Sequence, residues 1–263
     1  MTSTPLATIA QRLDEAAQHA QAMAQLSGEG TVLTLAQAYE VQRLLVERRL
    51  ARGATRIGLK MGFTSRAKMA QMGLSDLVWG RLSSDMLVEE GGTLGLTTKV
   101  HARVEPELCF LLARPLQGVV TPAQALAAVE AVAPAMEIID SRYRDFKFSL
   151  PDVVADNASS SGLVLGNWHS PHLDFSNLGL IMSFDGRAVE VGSTAAILGD
   201  PIRALVAAAR LAAEHDEILP AGSLVMAGGA TAAVALRPGL AVRCEMQNLG
   251  SVCFFTAAER ATT

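Results

Sequence analysis

Cysteine is scarce in this 263-residue chain. The three present, Cys109, Cys244 and Cys253, lie far apart, and no Cys-x-x-Cys pair occurs. That argues against a disulfide framework and a thiolate zinc site and fits a reduced, intracellular protein. Aromatics make up only 5% of residues, so the core must come from aliphatic side chains and methionine. No run of lysine or arginine appears and the net charge is −4, which gives no support for a nucleic-acid partner. The N-terminal segment lacks the apolar centre of a signal peptide. The longest apolar stretches, such as the one from Ala204 to Ala213, are broken by charge and too short to span a bilayer. A cytoplasmic, non-membrane protein is expected. Also missing is a regular strand–helix alternation, which argues against a doubly wound parallel sheet.

Half of the residues are hydrophobic and 18% are charged, enough to bury a sizeable core. Helical spacing of Ile9, Leu13 and Ala16 predicts a helix over 5–26, stopped by Gly28 and Gly30. A second helix is expected over 34–52. These two read as a cap, and the expected division is a helical N-terminal region, 1–75, before a catalytic domain, 76–263. Apolar runs at 56–62, 104–112, 135–140, 178–184, 223–229, 240–247 and 251–256 are strand candidates. Helices are expected at 122–133 and 201–215, each opened by proline. Asp185-Gly186 predicts a hairpin. The sum is an α+β fold with a curved, mostly antiparallel or mixed sheet.

Arg103-Val104-Glu105-Pro106-Glu107 is the most informative segment. Residues two apart on a strand share a face, so Glu105 and Glu107 point together beside an apolar run. Two inward carboxylates are costly unless neutralised. Arg103, on the same face, and a divalent ion are both candidates for that role. Glu137 sits in a second apolar strand candidate. Three glutamates from two such strands suit a hard cation, Mg2+ or Mn2+. The alternative is an exposed pair, with Glu137 matched to an arginine. Lys60, between apolar residues, can stabilise an enolate; the plainer role is a stem reaching to the surface. Asp140-Ser141-Arg142 and the small polar residues over 152–162 can offer backbone N–H groups to a substrate carboxylate, or simply cap turns. Two histidines, His169 and His172, read as surface residues. Gly228-Gly229 is no phosphate loop, since no Gly-Lys-Ser/Thr follows.

Several segments, taken in order, carry a family resemblance. They are Gly58-Leu-Lys60-Met-Gly62-Phe-Thr-Ser65, Val104-Glu105-Pro-Glu107, Pro134-Ala-Met-Glu137-Ile-Ile-Asp140-Ser-Arg142 and Val154-Ala-Asp156-Asn157-Ala-Ser159, followed by Leu198-Gly-Asp-Pro201, Pro220-Ala-Gly222 and Leu249-Gly250-Ser251-Val252. Over nearly its whole length the chain resembles the fumarylacetoacetase-fold family, in the branch of 2-hydroxypentadienoate hydratases and 4-oxalocrotonate decarboxylases. The resemblance implies a rolled sheet, metal on Glu105, Glu107 and Glu137, catalytic Lys60, and a substrate loop from Asp156 to Ser160. Val78, Arg142, Asp156, Asn157 and Ser160 are accordingly expected at the substrate, a small unsaturated 2-oxo dicarboxylic acid. It also implies a homo-oligomer and, for decarboxylases, association with a partner hydratase. Hydratases of the family carry an acid before an aromatic–Gly pair, where Val78-Trp79-Gly80 stands here. Asp76 would substitute only if the loop shifted. That difference, together with 60–73 and 143–148, favours decarboxylation of a 2-oxo-3-enedioate in meta-cleavage breakdown of aromatic compounds. Lys147 and Arg144 are candidate charges for a second carboxylate. Hydratase, acylpyruvate hydrolase and a catalytically silent metal-binding scaffold remain the alternatives.

Overall fold

The computed structural model describes residues 5–65, 69 and 76–258. Helix α1 (Leu6–Gln18) ends sooner than its apolar spacing predicts, because Ala20 turns into the left-handed region. The chain beyond it hydrogen-bonds instead through Met23 to the backbone of Arg142 and Arg144. Helix α2 (Leu35–Ala51) opens on a capping box between Thr34 and Gln37. Asp14 of α1 is buried and accepts from Arg48 and Arg52, which ties the two helices together.

The strands follow: β1 (Arg56–Gly62), β2 (Val78–Ser83), β3 (Leu87–Val88), β4 (Thr93–Leu94) and β5 (Arg103–Leu112). Helix α3 (Pro122–Ala127) stops six residues short of the expected end, and β6 (Val129–Ile139) takes over at once. The alanines there suit a helix, but register with β5 wins: Val132 faces Phe110 and Ala133 faces Cys109, all fully buried. Next come α4 (Leu150–Ala155), β7 (Ser160–Leu165), the hairpin β8 (Gly179–Phe184) to β9 (Arg187–Ser193), and α5 (Ile202–Ala213). Asp185 and Gly186 both have positive φ, as a two-residue hairpin turn requires. The chain closes with β10 (Leu224–Met226), β11 (Val234–Ala235), β12 (Ala241–Met246) and β13 (Gly250–Thr256).

The main sheet runs β2-β1-β10-β5-β6-β7-β3, with β11 also on β5, and mixes parallel and antiparallel pairs. A second sheet runs β4-β13-β12-β8-β9. One face of β5, with Val104, Leu108, Phe110 and Leu112, enters the large core that also takes Ile9 and Leu13 of α1. On the other face, Leu82 of β2, Cys109, Ala135 and Leu163 of β7 meet in one small cluster. Contact between side chains from distant strands means that the sheet rolls on itself. Strand β1 lies inside this sheet although it precedes residue 76, the expected domain boundary. Residues 66–68 and 70–75, part of the segment 60–73, lie outside the described residues. No described helix is long and apolar enough to cross a membrane. All three cysteines are free.

Candidate active site

The rolled face of β5 carries Glu105 and Glu107. Register places Glu137 of β6 directly opposite Glu105, and Ala135 opposite Glu107. Carboxylate oxygens of all three glutamates lie within 4.8 Å of one another. Glu107 and Glu137 are fully buried. Like charges opposite each other on a sheet, out of water, are destabilising unless a cation intervenes. One cation is Lys60 of β1, whose Nζ stands 3.1 Å from Glu137 Oε2. It reaches the glutamates because β10 inserts between β1 and β5. Arg103, the neutraliser weighed from sequence, instead lies over the Phe146 ring.

Two glycines shape the acidic cluster. The backbone N–H of Gly228 donates to Glu107 Oε2 at 2.8 Å. A Cβ on Gly229 would stand 2.4 Å from Glu105 Oε2, so only glycine leaves room for that carboxylate. Even so, Glu107 Oε1 and Glu137 Oε1 are buried with no hydrogen-bond partner among the described residues. The open buried oxygens of Glu107 and Glu137, beside the Lys60 ammonium, suit a divalent ion. An all-oxygen donor set with open valences fits a hard cation such as Mg2+. The protonation directions agree. Burial, then the charges of Glu137 and Glu105, push the Glu107 carboxyl well up. Burial pulls the Lys60 ammonium down, but the three carboxylates outweigh it and its pKa is raised.

Above the cluster opens a cavity of about 750 Å³. Lys60, Glu105 and Val78 line it, with Ile139, Phe148 and Arg103 among the other walls. Val78 is held against Gly62, where a Cβ would meet Val78 Cγ2 at 2.9 Å. Asp76 does not reach the cavity. It pairs with Arg210 at 2.9 Å on the surface. Exposed Lys147 lines the mouth, whereas Arg144 is exposed and is not part of the wall.

Four residues expected at the substrate stand elsewhere. Arg142, Asp156, Asn157 and Ser160 are buried and outside the cavity lining. The Asp156 carboxylate accepts from the Arg142 side chain and from its backbone N–H. Burial still raises its pKa, to about 6 against the opposing pull of Arg142. Asn157 clamps the backbone of Arg81, accepting from its N–H at 2.7 Å and donating to its carbonyl at 2.9 Å. The Ser160 hydroxyl meets Met86 Sδ. Asn157, Ala158 and Ser159 all have positive φ, and this tight turn presents Ala158 and Ser159 to the cavity instead. Ser159 Oγ has no partner among the described residues. The expected substrate loop from Asp156 to Ser160 contains Ser159 but the sequence did not single it out, and Gly228-Gly229 were weighed only as a phosphate loop. Their position directly after an apolar strand candidate was the available signal of a close backbone approach.

Comparison with known proteins shows what the chain as a whole is similar to. The family described as Fumarylacetoacetate (FAA) hydrolase, C-terminal, matches residues 66–254. A 4-oxalocrotonate decarboxylase of a Pseudomonas species is 70% identical over 255 residues, covering 97% of this chain and 99% of that one. A 2-keto-4-pentenoate hydratase of Paraburkholderia xenovorans is 35% identical, with 96% and 95% covered. Among solved structures, the 4-oxalocrotonate decarboxylase from Pseudomonas putida G7, complexed with magnesium and adipate, superposes with a TM-score of 0.93 at 37% identity, covering 97% and 98%. The chain belongs to the fumarylacetoacetate hydrolase family.

Proposed function

We propose that this protein is a magnesium-dependent lyase that decarboxylates 4-oxalocrotonate (2-oxo-3-hexenedioate) to 2-hydroxypenta-2,4-dienoate and CO2. The observation that carries the chemistry is the glutamate trio with its two unfilled buried oxygens beside Lys60. The relatives named decarboxylase, at 70% and 39% identity, supply the reaction.

Glu105, Glu107 and Glu137 would hold the ion, which would supply Lewis-acid stabilisation of charge at the 2-oxo end of the substrate. The C5–C6 bond breaks and C6 leaves as CO2. Its electron pair forms the C4–C5 double bond, the C3–C4 π pair moves to form the C2–C3 double bond, and the carbonyl π pair moves onto the 2-oxo oxygen, which takes a proton. Lys60 holds a proton at Nζ on the cavity floor, placed to meet negative charge developing on that oxygen. Val78, Ile139 and Phe148 form an apolar wall. None of them can activate water, so addition to the diene has no base at those positions. That separates this site from hydration, the second chemistry of the branch, which relatives at 35% identity are named for.

The relatives named 4-oxalocrotonate decarboxylase support a role in aromatic-compound catabolism, and a cytoplasmic location is part of the same proposal. A homo-oligomer and a complex with a partner hydratase belong to the same proposal, supported by the family likeness. Exposed Ile181 and Val191 on the second sheet offer apolar surface for such contacts.

The test is to incubate the protein with Mg2+ and 2-oxo-3-hexenedioate while following CO2 and the dienoate chromophore. CO2 with accumulating dienoate is expected. Inertness there, with hydration of 2-hydroxypentadienoate, would transfer the protein to the hydratases. Metal binding without either turnover would leave a scaffold.

A further inference from the structure

Two charged groups of the cavity lining are not used by the proposed chemistry: Lys147, exposed at the mouth, and Arg103, half-buried in the wall. Arg103 lies two residues before Glu105 on the same face of β5, half-buried in the lining. Its guanidinium carbon stands 4.4 Å from the centre of the Phe146 ring. No carboxylate or hydrogen-bond partner holds that guanidinium among the described residues. This is unlike Arg142 and Arg81, the buried arginines nearby, which both pair with carboxylates. The ring beneath it is fixed. Asp145 and Phe146 both have positive φ, and Phe146 also packs against His101, with ring centres 4.7 Å apart. A guanidinium stacked on an aromatic face is pre-oriented, and its in-plane N–H groups remain available as a fork for a carboxylate.

Position supplies the second half of the argument. Strand rise puts the Arg103 backbone about 6.6–6.8 Å along β5 from that of Glu105, with both side chains on the cavity face. That is comparable to the separation of the end carboxyl groups of an extended hexenedioate. A substrate gripped at its 2-oxo acid end by the glutamate-held ion would therefore bring its far carboxylate to Arg103.

We infer that Arg103, stacked on Phe146, is a specificity-determining residue that recognises the second carboxylate and so selects 2-oxo dicarboxylic acids over 2-oxo monocarboxylic acids. The inference rests on the proposed binding of the 2-oxo acid end by the glutamates. It carries a kinetic consequence. The pairing exists in the bound substrate and is lost as that carboxylate departs as CO2. It therefore acts on KM and selectivity and does not raise kcat.

The test uses two ligands identical at the metal-binding end, 2-oxoadipate and 2-oxohexanoate, titrated calorimetrically into the Mg2+-loaded protein. Both lack the C3–C4 double bond that carries the electron pair. Wild type should prefer 2-oxoadipate by about 10- to 100-fold, the range for a charge-assisted hydrogen-bonded pair. Arg103→Met, which keeps an apolar stem on Phe146, should erase the preference while leaving Mg2+ affinity and 2-oxohexanoate binding within about threefold. Arg103→Lys should recover part of it, since charge returns without the planar fork. On 2-oxo-3-hexenedioate, Arg103→Met should raise KM with kcat unchanged or higher. A preference that survives in Arg103→Met, or a kcat collapse at constant KM, overturns the inference. Failure of wild type to release CO2 would sink the proposed reaction but leave the two-ligand preference readable, so the two failures are distinct.

Discussion

Two groups of buried charge lie close together in this protein and differ in how completely they are satisfied. In the first, Asp156 accepts from Arg142, Asn157 clamps the Arg81 backbone, and the Arg81 guanidinium pairs with Glu217 and Gln42. In the second, Glu107 and Glu137, beside Glu105 and Lys60, each keep one carboxylate oxygen without a partner among the described residues. Both groups are costly to bury. The first recovers that cost within the fold and pins the strained turn at residues 157–159. The second stays unsatisfied until something enters from the cavity. Open carboxylate valence beside the cavity, and not burial or charge as such, marks the reactive region.

The sharpest way to break this comparison is Glu107→Gln. It should weaken Mg2+ binding and lower kcat/KM by on the order of 10²- to 10³-fold. The metal-free variant should nevertheless melt higher than wild type, because the substitution removes a carboxyl whose ionisation is opposed by burial and by the charges of Glu137 and Glu105. Calorimetry with and without Mg2+ reads both effects, and a lower metal-free melting point would place Glu107 with the saturated group. Asp156→Asn should do the opposite. It strips Arg142 of its buried partner and should cost about 3–5 kcal/mol in urea unfolding, with Mg2+ affinity unchanged. A large loss of metal affinity there would merge the two groups.

Smaller effects sharpen the boundary. Val78→Asp puts a carboxyl into the apolar wall beside Gly62 and should slow decarboxylation about tenfold. An unchanged rate would remove any role for that wall. The smallest effect belongs to Asp14. Burial raises its carboxyl, but hydrogen bonds and charge from Arg52 and Arg48 outweigh that and hold it below the usual range. A depressed folded pKa contributes stability that is present above the unfolded value of about 4 and lost as pH falls through the folded one. The α1–α2 link should therefore weaken in acid, and Asp14→Asn should flatten that part of the stability profile by under about 1 kcal/mol, since both arginines are partly exposed.

Much of this was legible in the chain. Strand alternation alone puts Glu105 and Glu107 on one face, and Asp185-Gly186 alone predicts the β8–β9 hairpin. These signals are local, set by side-chain period and by which residues tolerate positive φ. Reading failed where partners are distant. The alanines and valines after residue 127 suit either element until β5 supplies the pairing. The polar run from Asp156 to Ser160 does not say which members face the cavity, because the turn at 157–159 reverses the side-chain directions that an extended chain would give.

Sequence by itself determined the ingredients: the rolled α+β class, the family, the three glutamates and Lys60, and an apolar residue at position 78. Tertiary structure decided their arrangement. Register sets Glu137 against Glu105, insertion of β10 brings Lys60 to them, and Gly228 and Gly229 close around the carboxylates. It also withdrew Arg142, Asp156, Asn157 and Ser160 from the cavity and left Arg103 in its wall. The physical reason is that a side chain's face is fixed by its own backbone, whereas its electrostatic partner is fixed by strand order, which only the packed core selects.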